Sequence, residues 1–275
     1  MIVRVGDEAL TEIRAYLHLH YAENIYLLSE LRQRPNSSLP GGDPLSLVGY
    51  RRNGTLVAVQ GFYHLGRCFP FCEDEEALES MVYDARRRRP HWIMGARRSV
   101  DPLLEGMLAE GFHLVYDELD QVCMADLSTL VPCVAEGVRP ATEGDIEAIA
   151  ELRRAFEHEY FGTPLEQIDR GWCLRIARRY LARGVYVAER DGEIVSMAAV
   201  EAAIPEVVQV GAVYTVPEHR GQGLARAVVS ALCLEQLQQI PQVSLVVRND
   251  NLPAWRAYAA LGFHPHHSYR MSQLA

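Results

Sequence analysis

The chain carries an internal repeat, and this repeat limits the folds that the sequence can adopt. The segment Val3-Arg4-Val5 precedes a helical stretch and recurs as Val138-Arg139-Pro140 before another one. A pair of strands joined by Asn53-Gly54 recurs as a pair joined by Asp191-Gly192. Asn-Gly or Asp-Gly between apolar strands is a strong signal for a two-residue β-hairpin turn. Both copies are therefore expected to combine strands with helices.

A third match closes the two copies, because Gly111-Phe112-His113 recurs as Gly262-Phe263-His264. Three matches in the same order predict two tandem domains, over residues 1–130 and 138–275. In the second domain we predict a strand, two helices at 143–157 and 165–183, and then an antiparallel series of strands. The fold class is α/β (α+β).

Composition excludes several classes of function. With 49% hydrophobic and 23% charged residues among 275, the chain has the balance of a globular protein. Its net charge of −9 argues against a nucleic-acid partner, and no apolar run approaches the length that spans a membrane. The six cysteines lack the paired spacing of a zinc site, so we expect free thiols, no metal and a cytoplasmic location.

A glycine-containing turn between a strand and a helix is the main candidate for a ligand site. The apolar segment 207–216 predicts a strand, Gly221 and Gly223 lie in the turn, and a helix with an apolar stripe follows. Such a turn directs unpaired backbone N–H groups and the positive end of the helix dipole at one point, which attracts phosphate. A Walker loop would need lysine where Leu224 stands, and a dinucleotide fingerprint would need a small residue in place of Arg226.

Two motifs that do fit resemble the GNAT superfamily of N-acetyltransferases. Arg220, Gly223 and Ala225 form Arg-x-x-Gly-x-Ala, which resembles the loop that holds the pyrophosphate of acyl-CoA in that family. Downstream, Asn251 and Tyr258 belong to Asn-x-x-Ala-x-x-x-Tyr-x-x-x-Gly-Phe, which is similar to the second signature of the family. With the repeat, the resemblance implies two tandem GNAT-like domains, each with a mixed, mostly antiparallel sheet flanked by helices.

The resemblance implies that acetyl-CoA is the co-substrate and lies in a V opened between the strands 207–216 and 243–247. Its pantetheine arm is then expected along the backbone of Val213, Tyr214 and Thr215. The pyrophosphate is expected on six consecutive backbone amides, with added charge from the side chains of Arg220 and Arg226: Gly221, Gln222, Gly223, Leu224, Ala225 and Arg226.

The same resemblance assigns the chemical roles. Tyr258 is the expected general acid, which protonates the departing CoA thiolate. A backbone N–H near Val213 is expected to stabilise the tetrahedral oxyanion. Asn251 is placed either to cap the helix that it precedes or to bind the pantetheine arm.

The acceptor side is less determined by the sequence. Glu157 and Glu159 are predicted in the loop after the first helix of the second domain, where the family usually places its acceptor, and Glu159 is our candidate substrate contact. Glu201 and Glu206, near the strand ends, are candidates for the base, and a chain of water molecules is an alternative to any named base. Gln209 stands where the family sometimes has a carboxylate base, which argues against a direct base on that strand.

The first copy lacks each of these chemical elements. Four carboxylates, Glu73-Asp74-Glu75-Glu76, replace the glycine turn at the start of a helix and are expected to repel a pyrophosphate. Met107 stands at the position that matches Tyr258, and Val100 at the position that matches Asn251. We therefore predict one working site, in the second domain, and a structural or substrate-shaping role for the first.

The function that the sequence predicts is transfer of an acetyl group from acetyl-CoA to an amine acceptor, either a small molecule or a peptide, through a ternary complex. The alternative from another class is an acyl-CoA-binding sensor or scaffold without turnover. Within the enzyme class, a tandem acyltransferase similar to mycothiol synthase is a further possibility. The chain is expected to be a monomeric pseudo-dimer or a homodimer.

Overall fold

Contacts between residues divide the chain into two units, which we describe separately. The computed structural model describes residues 2–33, 45–63 and 66–275. Unit 1 comprises Met1–Val122 and His266–Ala275, and unit 2 comprises Cys123–Pro265. In the part of the chain described, no helix is long and apolar enough to span a membrane.

Within the described ranges, unit 1 combines a mixed sheet with four helices. The strands whose pairing defines its sheet follow the order β1-β2-β3-β4-β5-β12, in which only the β4–β5 pair is parallel. These strands are β1 (Ile2–Val5), β2 (Leu45–Arg52), β3 (Thr55–Tyr63), β4 (Arg67–Cys72), β5 (Trp92–Ala96) and β12 (His264–Leu274). The helices are α1 (Leu10–His18), α2 (Ile25–Gln33), α3 (Leu78–Arg88) and α4 (Arg97–Ala109). A further strand, β6 (Leu114–Asp126), begins in unit 1 and ends in unit 2.

From His266 onward the last strand of the chain belongs to unit 1, although the predicted second domain extends to residue 275. Residues 269–273 of β12 pair antiparallel with residues 92–96 of β5, from Tyr269 opposite Ala96 to Gln273 opposite Trp92. Strand pairing of this kind joins segments that are far apart in sequence, and no local pattern predicts it.

Unit 2 consists of a sheet with two helices on each face. Its sheet order is β11-β10-β9-β8-β7, and the β10–β11 pair is parallel while the others are antiparallel. The strands are β7 (Val138–Pro140), β8 (Val185–Arg190), β9 (Glu193–Ala203), β10 (Val207–Thr215) and β11 (Gln242–Arg248). The helices are α5 (Ile146–Phe161), α6 (Arg170–Arg183), α7 (Leu224–Gln236) and α8 (Leu252–Ala260). Apolar residues of α5 and α6 form one core with β8–β10, and those of α7 and α8 form another on the opposite face.

The first two helices of unit 2 differ from the predicted bounds. Helix α5 continues to Phe161, so Glu157 and Glu159 lie on its last turn and not in a loop. The turn is held by Phe156, which stacks on Tyr160 with ring centroids 5.0 Å apart, and it ends where Gly162 takes a left-handed φ of 69°.

The second helix, α6, begins at Arg170 and not at residue 165. Its start is fixed by Asp169, whose carboxylate accepts a hydrogen bond from the backbone N–H of Trp172 at 2.5 Å. A carboxylate at this position satisfies an N–H group that the helix itself cannot pair. A separate 3-10 turn, Leu165–Gln167, precedes it.

Candidate active site

The two parallel strands of unit 2 separate toward their carboxyl ends. Pairing between β10 and β11 extends from Val207 opposite Gln242 to Val210 opposite Leu245, although the strands continue to Thr215 and Arg248. Beyond Val210, strand β10 also shifts its register against β9, and Ala212 adopts a positive φ of 49°. A bulge of this kind bends one strand away from its neighbour. The β10 segment that carries Val213, Tyr214 and Thr215 therefore lies beyond the paired part of β11, with the side chains of Tyr214 and Thr215 buried.

The glycine turn lies directly beyond this segment. After β10 comes a 3-10 turn, Pro217–His219, and then Gly221 and Gly223 with left-handed φ values of 76° and 79°. Gly223 is the N-cap of α7, where no side chain caps the helix and no acidic residue stands in the first turn. No side chain of α7 therefore competes with an anion for the backbone N–H groups at the start of this helix.

Unit 1 shows the opposite arrangement at the equivalent helix start. A 3-10 turn, Glu75–Ala77, leads into α3, and the Asp74 carboxylate accepts a hydrogen bond from the backbone N–H of Glu76 at 3.0 Å. Asp74 and Glu76 both form ion pairs with Arg52, at 2.6 and 2.7 Å. Met107 and Val100, the counterparts of Tyr258 and Asn251, are fully buried. The acidic residues thus occupy the helix start themselves, in agreement with the sequence argument.

Arg220, next to the glycine turn, contacts the last turn of α5. Its Nη2 lies 2.6 Å from Glu159 Oε2, and its Nε donates to the carbonyl of Thr215 at 2.9 Å. The guanidinium carbon also lies 5.5 Å from the centroid of the Tyr214 ring. Hydrogen bonding to Arg220 holds the pKa of Glu159 below its usual range, so Glu159 is ionised at neutral pH. The structure therefore joins two residues that the sequence assigned to different substrates.

Tyr258 and Asn251 both lie at α8. Tyr258 is buried in the core that α8 shares with α7, and its ring centroid is 6.2 Å from that of Phe263. Burial raises the pKa of the Tyr258 hydroxyl, which keeps it protonated at neutral pH. Asn251 caps α8, because its side-chain oxygen accepts a hydrogen bond from the backbone N–H of Ala254 at 3.1 Å.

The candidate bases are held in contacts of their own. Glu201 Oε1 accepts a hydrogen bond from the Tyr180 hydroxyl at 2.5 Å and lies 3.5 Å from Arg153 Nη1. Arg153 also pairs with Glu157 on the same helix. Gln209 is buried, and its side-chain oxygen accepts a hydrogen bond from the Ser244 hydroxyl at 2.9 Å. Glu206 lies between β9 and β10.

Two further features of the site were not predicted from the sequence. The bulge at Ala212 opens the cleft, and Gly211 within an apolar strand was a signal that could have indicated it. Arg248, at the end of β11, donates from Nη1 to the carbonyl of Tyr160 at 3.4 Å, and its guanidinium carbon lies 5.5 Å from the centroid of that ring. Nothing local in the sequence indicates the contact between Arg248 and Tyr160, since the two residues are 88 positions apart.

The six cysteines are all free thiols. In the described ranges, no group of three or more His, Cys, Asp or Glu side chains is placed to hold a metal ion.

Comparison with known proteins gives the family that this chain resembles. The family model described as "Acetyltransferase (GNAT) family" matches residues 146–263, which all lie in unit 2. A mycothiol acetyltransferase from Saccharomonospora viridis is 30% identical over 267 residues, covering 83% of this chain and 84% of that protein.

Solved structures show the same fold at lower identity. A GCN5-related N-acetyltransferase from Sphaerobacter thermophilus is 18% identical with a TM-score of 0.65, covering 98% of this chain and 94% of the other. A tandem GNAT protein from the clavulanic acid biosynthesis pathway is 16% identical with a TM-score of 0.63, covering 100% and 98%. At these identities, the structural likeness supports the fold alone.

Proposed function

Because the chain belongs to the GNAT acetyltransferase family, we propose that it transfers an acetyl group from acetyl-CoA to an amine acceptor at the site in unit 2. The observation that carries this proposal is the coincidence of three features: separated parallel strands, an uncapped helix start behind two left-handed glycines, and a buried tyrosine on α8. The first two suit a long ligand with an anionic end, and the third suits proton donation to a leaving group.

In the proposed complex, the CoA pyrophosphate binds the backbone amides from Gly221 to Arg226. The pantetheine arm lies along β10 beyond the paired part of β11 and pairs with its backbone as an added strand does. This arrangement brings the thioester to the bulge near Val213, where a backbone N–H polarises the acyl carbonyl. The side chain of Asn251 serves α8 as its cap in this structure, so we assign it a supporting role.

An acceptor amine that is cationic in solution first loses one proton to solvent, and the reaction begins when the resulting neutral amine attacks the thioester carbonyl carbon. The C–O double bond becomes an oxyanion, which the N–H near Val213 stabilises. When the intermediate collapses, the C–S bond breaks, and the Tyr258 hydroxyl donates its proton to the departing CoA sulfur. The proton of the acceptor nitrogen leaves to solvent in this proposal, because Gln209 is an amide and Glu201 is engaged by Tyr180 and Arg153. Tyr258 takes a proton back from solvent before the next turnover.

The test is release of free CoA thiol from acetyl-CoA across a panel of amines that includes the acceptor of the mycothiol acetyltransferases. Tyr258→Phe is expected to lower kcat by about 100-fold, the effect of losing a general acid, and to leave the Kd for acetyl-CoA nearly unchanged. Tyr186→Phe, on β8 of the same unit, is the control and should retain activity.

Two results would contradict the enzyme proposal in different ways. If Tyr258→Phe loses acetyl-CoA binding together with turnover, then Tyr258 belongs to the binding surface and is not the acid. If the wild-type protein binds acetyl-CoA but acetylates no member of the panel, a non-catalytic acyl-CoA-binding sensor or scaffold explains the site better.

A further inference from the structure

Two consecutive residues of α5 connect to the ends of the two separated strands. Glu159 pairs with Arg220, which in turn donates to the carbonyl of Thr215, the last residue of β10. Tyr160 receives both a hydrogen bond and a cation–π contact from Arg248, the last residue of β11. Because β10 and β11 are parallel, these two strand ends lie at the same edge of the sheet. We call residues 157–161, which span this edge, the α5 turn.

The contact between Glu159 and Arg220 places a negative charge beside the phosphate-binding turn. Arg220 uses Nη2 for Glu159 and Nε for Thr215, so two of its donor groups are already engaged. A pyrophosphate that binds the amides from Gly221 onward brings further negative charge next to the same guanidinium. The negative charges of the pyrophosphate and of Glu159 repel each other when both lie beside this guanidinium. Hydrogen bonds from the guanidinium to a phosphate group are also more favourable than those to a half-exposed carboxylate.

We propose, on the basis of the function proposed above, that Glu159 occupies Arg220 in the donor-free protein and is exchanged for the pyrophosphate when acetyl-CoA binds. The exchange releases the side of the α5 turn that is attached to β10. It also frees the Glu159 carboxylate, which then binds a positively charged amine acceptor. The acceptor therefore binds well only after acetyl-CoA, and the acceptor class is an amine that is cationic in solution.

Neighbouring residues suit the second position of Glu159. Phe156 packs against the α5 turn, where its ring centroid lies 5.0 Å from that of Tyr160, and the rings of Tyr160 and Phe161 are 4.8 Å apart. Arg153 and Arg248 already lie over the rings of Phe156 and Tyr160, so the freed Glu159 carboxylate supplies the countercharge of an ammonium group. Tyr214, whose pKa is raised by burial and then by the Glu159 charge, stays neutral beside it.

The proposal is tested by titration calorimetry with acetyl-CoA and with acetyl-pantetheine, which has the thioester but lacks the pyrophosphate. Glu159→Gln is expected to tighten acetyl-CoA binding by about two- to fivefold, the range that a half-exposed ion pair supplies, and to leave acetyl-pantetheine binding unchanged. The control is Glu218→Gln, which removes a charge from the adjacent 3-10 turn and should produce a smaller effect.

A double-mutant cycle assigns the effect to the pair. In an Arg220→Gln background, Glu159→Gln should no longer change acetyl-CoA affinity. Hydrogen exchange supplies an independent readout, because amides of the α5 turn should exchange faster when acetyl-CoA is bound and remain unchanged with acetyl-pantetheine. These readouts need no knowledge of the acceptor.

The outcomes separate this proposal from the function on which it rests. If the wild-type protein binds acetyl-CoA but Glu159→Gln binds it equally or more weakly, the exchange is wrong while the proposed function stands. An equal gain from Glu218→Gln would also overturn the exchange, since it would show a general effect of charge. If the wild-type protein binds no acetyl-CoA, both proposals are wrong.

Discussion

Replacing Gly221 with alanine separates binding of the pyrophosphate from the stability of the fold. Gly221 has a φ of 76°, and a Cβ placed on it meets no heavy atom within 4 Å. The hairpin residue Gly192, with a φ of 82°, has the same open space, since a Cβ there also meets nothing within 4 Å. Alanine at either position must therefore adopt a left-handed conformation without a steric clash. Only Gly221 lies in the proposed ligand site.

The cost in stability should be similar for the two alanine variants. A left-handed conformation costs an L-residue about 1–2 kcal/mol, and the reduced freedom of the unfolded chain offsets about 0.4–1 kcal/mol of this. Each variant should thus lose about 1 kcal/mol of unfolding free energy. Chemical denaturation of each variant, compared with the wild type, measures this loss.

The effect on acetyl-CoA binding should differ sharply. The new Cβ of Gly221→Ala stands where the pyrophosphate approaches the backbone, so a hydrogen bond to a charged group is weakened or lost. Such a bond contributes about 1.5–3 kcal/mol, which corresponds to a rise in Kd of about 10- to 150-fold. Gly192→Ala should bind acetyl-CoA as the wild type does. Equal affinities of the two variants in titration calorimetry would refute this placement of the pyrophosphate.

Three further predictions concern the stability of the fold. Gly262→Ala should cost about 3–5 kcal/mol of unfolding free energy, because its Cβ overlaps the carbonyl of Thr129 and its φ is 88°. The control is the repeat counterpart Gly111→Ala, which has open space around it and should cost about 1 kcal/mol in the same denaturation assay. Arg153→Met should cost about 3 kcal/mol, because it removes the cation that two largely buried glutamates share, although Arg179 stays 3.7 Å from Glu201; an unchanged midpoint would contradict this. Hydrogen bonding to Arg139 holds the pKa of Asp145 well below its usual range. The stabilisation of the fold by the ionised Asp145 carboxylate is therefore present above about pH 4 and is lost on acidification. Asp145→Asn should therefore lose less unfolding free energy than the wild type between about pH 7 and pH 3, as denaturation at each pH would measure.

The sequence allowed prediction of the features that short segments determine. The turn at Asp191-Gly192, the glycine turn before α7 and the cap at Asn251 each depend on residues within a few positions of one another. The GNAT fold was predicted from two such motifs and is confirmed by the comparisons. The free state of the six cysteines also follows from their spacing.

Other features were missed or depend on contacts that no local pattern encodes. Helix α5 extends to Phe161, where we predicted a loop, and the pairs Phe156–Tyr160 and Arg153–Glu157 that support its end are four residues apart and were missed in the sequence. The pairing of Glu159 with Arg220 joins positions 61 residues apart. This pairing arises only after the sheet of unit 2 has brought the ends of β10 and α5 together.

We propose that the chain holds one acetyl-CoA site, formed by the glycine turn of unit 2, and that the acidic helix start of unit 1 holds none. The stoichiometry of acetyl-CoA binding to the full chain, measured by titration calorimetry, tests this most directly. We predict one molecule per chain in the wild type, with affinity strongly reduced by Gly221→Ala. Two molecules per chain, or one whose affinity is unaffected by Gly221→Ala, would contradict the account.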